Sequence, residues 1–148
     1  MRIYLPLMAQ DRPALQEGRR IVDLDAGRVA WAVTAEASAD HPGQDEEELE
    51  YEAMQDAVHA AFTGAEDSAR VLVIAADVAD GALAAATADG GAFGIRLRER
   101  RSAKIASFHV TEQDKRAAER DDTDPALLWF DAGEGQDALA FRDSAAAP

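Results

Sequence analysis

The pattern of apolar and polar positions is clearest between Asp45 and Phe62, where it predicts one long helix. Apolar residues recur there at spacings of three and four, which places them on one buried stripe: Leu49, Ala53, Met54, Ala57, Val58, Ala61 and Phe62. The acidic residues Asp45 to Glu48 lie where a helix dipole favours negative charge, and Gly64 is a suitable end.

Short apolar or alternating stretches elsewhere predict strands. These patterns cover residues 2–7, 29–33, 71–76, 93–98, 104–110 and 127–130. Weaker signals predict short helices, one that Asp11 caps and Gly18 ends, one at 83–87, and one that Thr111 caps and that runs to about Arg120.

We expect the strands at 93–98 and 104–110 to form a hairpin, and this antiparallel unit favours an α+β fold over a doubly wound sheet. The predicted architecture is a single domain over residues 1–142, with a mixed, largely antiparallel sheet and helices packed on it. A chain of 148 residues suits one domain. Residues 143–148 are expected to form a disordered tail.

Charge and composition exclude several classes of function. The net charge of −14 argues against binding nucleic acid or an anionic membrane surface. The absence of cysteine from the sequence excludes disulfides, thiolate metal sites and cysteine nucleophiles. Since the sequence also has no apolar run of ~20 residues and no credible signal peptide, we expect a small acidic cytoplasmic protein.

Several segments together resemble a family of small uncharacterised proteins of actinobacteria. They are MRIYLPL at 1–7, AWAVT at 30–34, DEEELEYEAMQDA at 45–57, VIAADV at 73–78, IASFHVTE at 105–112 and LLWFD at 127–131. The resemblance runs from Met1 to about Asp131 and implies a cytosolic protein of actinobacterial origin. It implies no established activity, cofactor or catalytic residue.

The long helix carries a candidate metal site. Glu48, Glu52, Asp56 and His59 follow one another at spacings of four, four and three, and therefore lie along one helix face. Carboxylates with a histidine are ligands for Mn, Fe or Zn, and the predicted ligand set is Glu52, Asp56 and His59. The alternative is a solvated face opposite the apolar stripe.

A basic cluster marks a candidate partner surface. Alternation along the strand places Arg96, Arg98 and Arg100 on the face opposite Phe93, Ile95 and Leu97, and Arg101 and Lys104 follow. These side chains could pair with acidic residues of the same chain, contact a partner or a second copy, or hold a small anion.

Other motifs have simpler interpretations. Ser107 and His109 share a strand face, but the sequence has no Gly-x-Ser-x-Gly elbow, so a structural histidine is favoured. The glycines at 90, 91 and 94 precede a strand instead of a helix, which is typical of a turn.

Trp31, Trp129 and Phe130 are expected in the core. If the strand at 127–130 lies at a sheet edge, however, its apolar side chains would form an exposed patch suited to a partner.

The sequence favours a non-enzymatic protein-binding or regulatory module that self-associates or docks on another protein, through a sheet edge or the arginine strand, without a cofactor. The alternative is a small metal-dependent hydrolase or lyase that uses Glu52, Asp56 and His59. Whether the protein is an enzyme stays open at this stage, and no catalytic residue is identified.

Overall fold

The computed structural model describes residues 1–144 and shows eight strands in one sheet. The strands are β1 (Arg2–Pro6), β2 (Ile21–Leu24), β3 (Val29–Ala32), β4 (Leu72–Asp77), β5 (Leu83–Ala85), β6 (Gly94–Leu97), β7 (Arg101–Thr111) and β8 (Leu127–Asp131). The sheet order is β2-β7-β4-β1-β3-β6-β5, with β8 paired to β7, and each pairing is antiparallel. The predicted α+β class is confirmed.

Six α-helices accompany the sheet within residues 1–144. They are α1 (Arg12–Gln16), α2 (Ala35–Asp40), α3 (Glu46–Thr63), α4 (Thr87–Gly90), α5 (Lys115–Arg120) and α6 (Gly135–Asp143). The long helix α3 matches its prediction, because the Asp45 side chain accepts a hydrogen bond from the Glu48 amide at 2.9 Å and Gly64 follows the last turn.

The two faces of the sheet are buried by different helices. On one face α3 inserts its apolar stripe against β1, β3 and β4, forming a cluster that includes Tyr4, Trp31, Leu49, Ala53, Ala57, Val58, Phe62, Val73 and Phe93. On the other face the curled sheet packs with α1 and α6 around a cluster that includes Ile3, Leu5, Leu15, Leu24, Ile74, Ile95, Phe108 and Leu139. These two layers fix which strand faces and edges meet solvent.

The predicted hairpin between residues 93–98 and 104–110 is wrong. Strand β6 pairs with β3 and β5, whereas β7 pairs with β2, β4 and β8. Residues 98–100 therefore connect two strands that are far apart in sheet order, and the curl of the sheet makes this short link sufficient. Local alternation predicted the strands correctly but carried no information about their pairing.

The helix predicted at 83–87 is also wrong, because Leu83–Ala85 is strand β5 and pairs with β6. The helix predicted from Thr111 begins later than expected. Thr111 is fully buried at the end of β7, where its Oγ1 accepts a hydrogen bond from the Val71 amide at 3.0 Å, and Asp114 caps α5 instead. In both places tertiary pairing overrides the local preference.

Helix α6 extends the ordered fold slightly beyond residue 142. Arg70 holds its end, since the guanidinium donates to the carbonyls of Phe141 and Ser144 and lies 4.1 Å from the Phe141 ring centroid. The predicted disordered tail began at Asp143, which is the last residue of α6, and its residues 145–148 lie outside the described residues. Within residues 1–144, no helix combines the length and apolarity that a membrane crossing requires.

Candidate functional site

Strand β8 provides an open sheet edge. It pairs with residues 107–111 of β7, on the side of β7 opposite β4, and β2 pairs with residues 101–104 on that same side. In the part of the chain that the structure describes, no strand pairs with the outer edge of β8. The edge therefore resembles a template for an added strand.

The main-chain hydrogen-bonding groups at this edge follow from the strand register. The Glu112 amide donates to the Ala126 carbonyl at 3.1 Å, so the groups of Ala126, Leu128 and Phe130 point towards β7. Those of Leu127, Trp129 and Asp131 point outward. Glu134 occupies the groups of Asp131, because its side chain accepts from the Asp131 amide at 3.0 Å and its amide donates to the Asp131 carbonyl. Leu127 and Trp129 thus present the outward N–H and C=O groups that a partner strand would need.

The side chains of β8 divide between the two sheet faces. Leu128 and Phe130 stand opposite Val110 and Phe108 of β7, and the Phe130 ring packs against Phe141 of α6. Trp129 lies on the opposite face and is 62% exposed, the highest value among the large apolar residues described. The expected burial of Trp31 is found, whereas that of Trp129 is not.

A depression of about 620 Å³ lies beside the start of β8. Its lining combines apolar groups of Phe62, Ala118 and Pro125 with acidic residues, which are Glu119, Asp121, Asp122 and Asp124. The lining also includes His59 and Lys115, and the Lys115 ammonium donates to the Ala65 carbonyl at 3.1 Å.

Hydrogen bonds hold the acidic loop of this depression in place. Asp121 accepts bonds from the amide and hydroxyl of Thr123, and these bonds lower the pKa of its carboxyl group. Asp124 accepts a bond from the Tyr51 hydroxyl at 3.2 Å, which ties the loop to α3. These bonds connect the acidic loop to α3, and the depression lies next to Pro125, two residues before β8 begins.

The predicted metal ligands lie on the outer face of α3. Glu52 accepts a hydrogen bond from the Gln44 amide group at 2.8 Å, His59 is exposed, and burial raises the pKa of the Asp56 carboxyl group. Among residues 1–144, no group of three or more histidine or acidic side chains is arranged to hold a metal ion. Metal binding by Glu52, Asp56 and His59 stays a prediction without a converged ligand set.

The predicted arginine surface is partly engaged within the chain. Ile95 and Leu97 are buried and Arg96, Arg98 and Arg100 are exposed, as the alternation indicated, although Phe93 packs in the cluster on the α3 side. Arg96 pairs with Asp89, and Arg98 donates to the Leu83 carbonyl at 2.9 Å.

Ser107 and His109 form a hydrogen bond of 2.9 Å between Oγ and Nε2. Burial, with the nearby Arg2 cation, lowers the pKa of His109 to about 4, so the ring is neutral at physiological pH. Asp131, the cross-strand neighbour of Ser107, accepts a bond from the Gly133 amide instead. Within the described chain no carboxylate bonds to the second ring nitrogen, so the pair lacks the orienting acid of a nucleophilic triad.

The sequence predicted a partner surface at residues 127–130 only for the case in which that strand lies at a sheet edge, and it did not predict the acidic depression. The signal available for the depression was the composition of residues 119–125, where four carboxylates precede Pro125 and the apolar run of β8. The depression could not be predicted from this composition alone, because the other part of its lining, the end of α3, is distant in sequence.

The fold and its edge define a small α+β protein with a curled antiparallel sheet and one exposed aromatic edge strand. Residues 1–145 match the model of a family of unknown function, DUF6912, and the chain belongs to that family. No curated protein and no solved structure matches the chain.

Proposed function

We propose that the protein is a protein-binding module that adds an extended segment of a partner to the outer edge of β8. The observation that carries this proposal is the open edge at Leu127 and Trp129, with its outward main-chain groups and an exposed indole. Strand addition gains main-chain hydrogen bonds, and a large aromatic side chain beside the edge supplies apolar contact area.

A panel of short strand-forming peptides, built from alternating Val and Thr, tests the proposal. Binding should shift the backbone amide signals of Leu127 and Trp129 and the Trp129 indole signal in nuclear magnetic resonance spectra. The Trp31 indole, which donates to the Gly90 carbonyl at 2.8 Å, is an internal reference because it is buried.

Trp129→Lys should abolish peptide binding while leaving the fold intact, since the side chain is mostly exposed. Ile21→Lys is the matched control, because Ile21 is a 53% exposed apolar residue of β2, on the same side of β7. Equal losses in the two variants, or shifts that are absent from β8, would contradict the proposal.

The arginine strand is the other proposed partner surface, and Arg100 distinguishes it from the β8 edge. Arg96 and Arg98 are engaged within the chain, whereas Arg100 is exposed. If partner binding or self-association is lost in Arg100→Glu and kept in Trp129→Lys, the arginine strand is the binding surface.

A further inference from the structure

We infer that the segment which adds to β8 carries a basic side chain, arginine or lysine, that enters the acidic depression beside the edge. This inference rests on the proposed function and specifies its partner as an extended apolar segment flanked by a cation.

The chemistry of the depression suits an arginine or lysine side chain. Phe62 and Pro125 are largely buried and contribute apolar surface, over which an aliphatic stem can pack. Four carboxylates against one ammonium line the same space, so the charged head of the ligand would meet an excess of negative charge. Glu119 and Asp122 accept no side-chain hydrogen bond within residues 1–144, which leaves their oxygen atoms available.

The position of the depression connects it to the open edge. Pro125 lines the depression and stands two positions before Leu127, where β8 begins. A strand that pairs with Leu127 and Trp129 would continue past this point, because each residue of an extended chain advances about 3.3 Å. The inferred basic side chain would stand just beyond the paired residues, next to Pro125 and the depression that Pro125 lines.

The same charges disfavour a second copy of this chain as the occupant. If two β8 strands paired antiparallel around a twofold axis, the acidic loop of one copy would approach Asp131 and Glu134 of the other. Each copy also carries a net charge of −14, so their approach is repulsive. A positively charged partner segment can pair with the outward N–H and C=O groups of β8 without this repulsion.

The test compares strand peptides that differ at one flanking position. Each alternating Val and Thr peptide carries arginine, its neutral isostere citrulline, or glutamate, at either end, and β8 signals report binding. The arginine peptide should bind roughly threefold to tenfold more tightly than the citrulline peptide at low salt, and the glutamate peptide most weakly.

Glu119→Gln combined with Asp122→Asn should remove the preference for arginine while keeping citrulline binding. The control is Glu36→Gln combined with Asp40→Asn, which makes the same change of charge at exposed positions on α2.

The outcomes separate this inference from the proposed function. Equal binding of arginine and citrulline peptides at β8, or a preference that survives Glu119→Gln/Asp122→Asn, overturns the basic ligand and leaves strand addition standing. If no peptide shifts the β8 signals, strand addition itself fails. If light scattering gives the mass of a dimer for the unsubstituted protein and of a monomer for Trp129→Lys, the edge instead binds a second copy.

Discussion

A buried ion pair connects β1, α1 and the start of β3. The Arg28 guanidinium donates to both carboxylate oxygens of Asp11, at 3.1 and 2.8 Å, and to the Pro6 carbonyl. Both side chains are nearly inaccessible, at 4% for Arg28 and 0% for Asp11. Such a pair contributes little relative to an apolar core, but the removal of one partner leaves an uncompensated buried charge.

Asp11→Ala should accordingly lower the free energy of unfolding by about 3–5 kcal/mol, as measured by urea denaturation. The control is Asp143→Ala, which removes a partly exposed partner of Arg12 and should cost under ~1 kcal/mol. Similar losses in the two variants would show that Arg28 is solvated once Asp11 is absent.

His109 gives the native state a distinctive dependence on pH. Its pKa is about 4 in the folded protein, against about 6.5 in an unfolded chain. Above pH 6.5 the ring is neutral in both states. Between pH 6.5 and 4 the unfolded state binds a proton that the folded state excludes, so stability falls as the pH falls.

The loss due to His109 should reach on the order of 3 kcal/mol at pH 4. His109→Gln should flatten this part of the stability curve, which urea denaturation at several pH values measures. His59→Gln removes an exposed imidazole from α3 and is the control. If the two substitutions change the slope equally, burial of His109 is not its cause.

At the scale of elements, the glycines at 90, 91 and 94, predicted as a turn, lie in the tight connection between β5 and β6: Gly90 ends α4, Gly91 begins a 3-10 helix and Gly94 is the first residue of β6. A Cβ atom at Gly94 would lie 2.6 Å from the Gly90 Cα and 2.8 Å from the Ala86 carbonyl oxygen, and backbone atoms cannot move aside cheaply. At Gly91 the backbone φ is +75°, which favours glycine. These positions allow α4 to fold tightly against the start of β6.

Gly94→Ala should therefore destabilise the protein by about 1–3 kcal/mol or more, as overpacked cores do. Gly81→Ala is the matched control, because a Cβ there meets nothing within 4 Å. Thermal unfolding of both variants measures the difference. A Gly94→Ala protein as stable as the control would mean that the Gly90 backbone shifts freely.

The sequence contained enough information for the strands that alternate and for α3, whose periodicity and cap are local. Strand β5 could not be predicted from the sequence, because Leu83–Ala85 is alanine-rich and becomes a strand only through its pairing with β6. Strand β2 and helix α6 were likewise not predicted. Nor could the sequence assign Trp129, since the exposure of an aromatic residue depends on which strand lacks a neighbour, and that is decided by sheet order.

At the scale of the whole molecule, negative charge acts on stability and on recognition in opposite directions. The fifteen basic and twenty-nine acidic side chains leave an excess of fourteen negative charges, which repel one another in the compact state. The same excess attracts the basic segment proposed for the β8 edge. Both effects depend on interactions near the surface, which salt screens.

Raising the salt concentration from about 10 mM to about 150 mM shortens the screening length from roughly 30 Å to roughly 8 Å. The free energy of unfolding at pH 7 should therefore rise, by about 1 kcal/mol, while the arginine peptide should bind several-fold more weakly. Urea denaturation and peptide titration at both salt concentrations measure the two responses.

The citrulline peptide is the control for the salt dependence of binding, and its affinity should change little. If salt weakens both peptides equally, the acidic depression is not the source of the salt dependence. If salt leaves the stability unchanged, pairing within the chain already offsets the repulsion among its carboxylates.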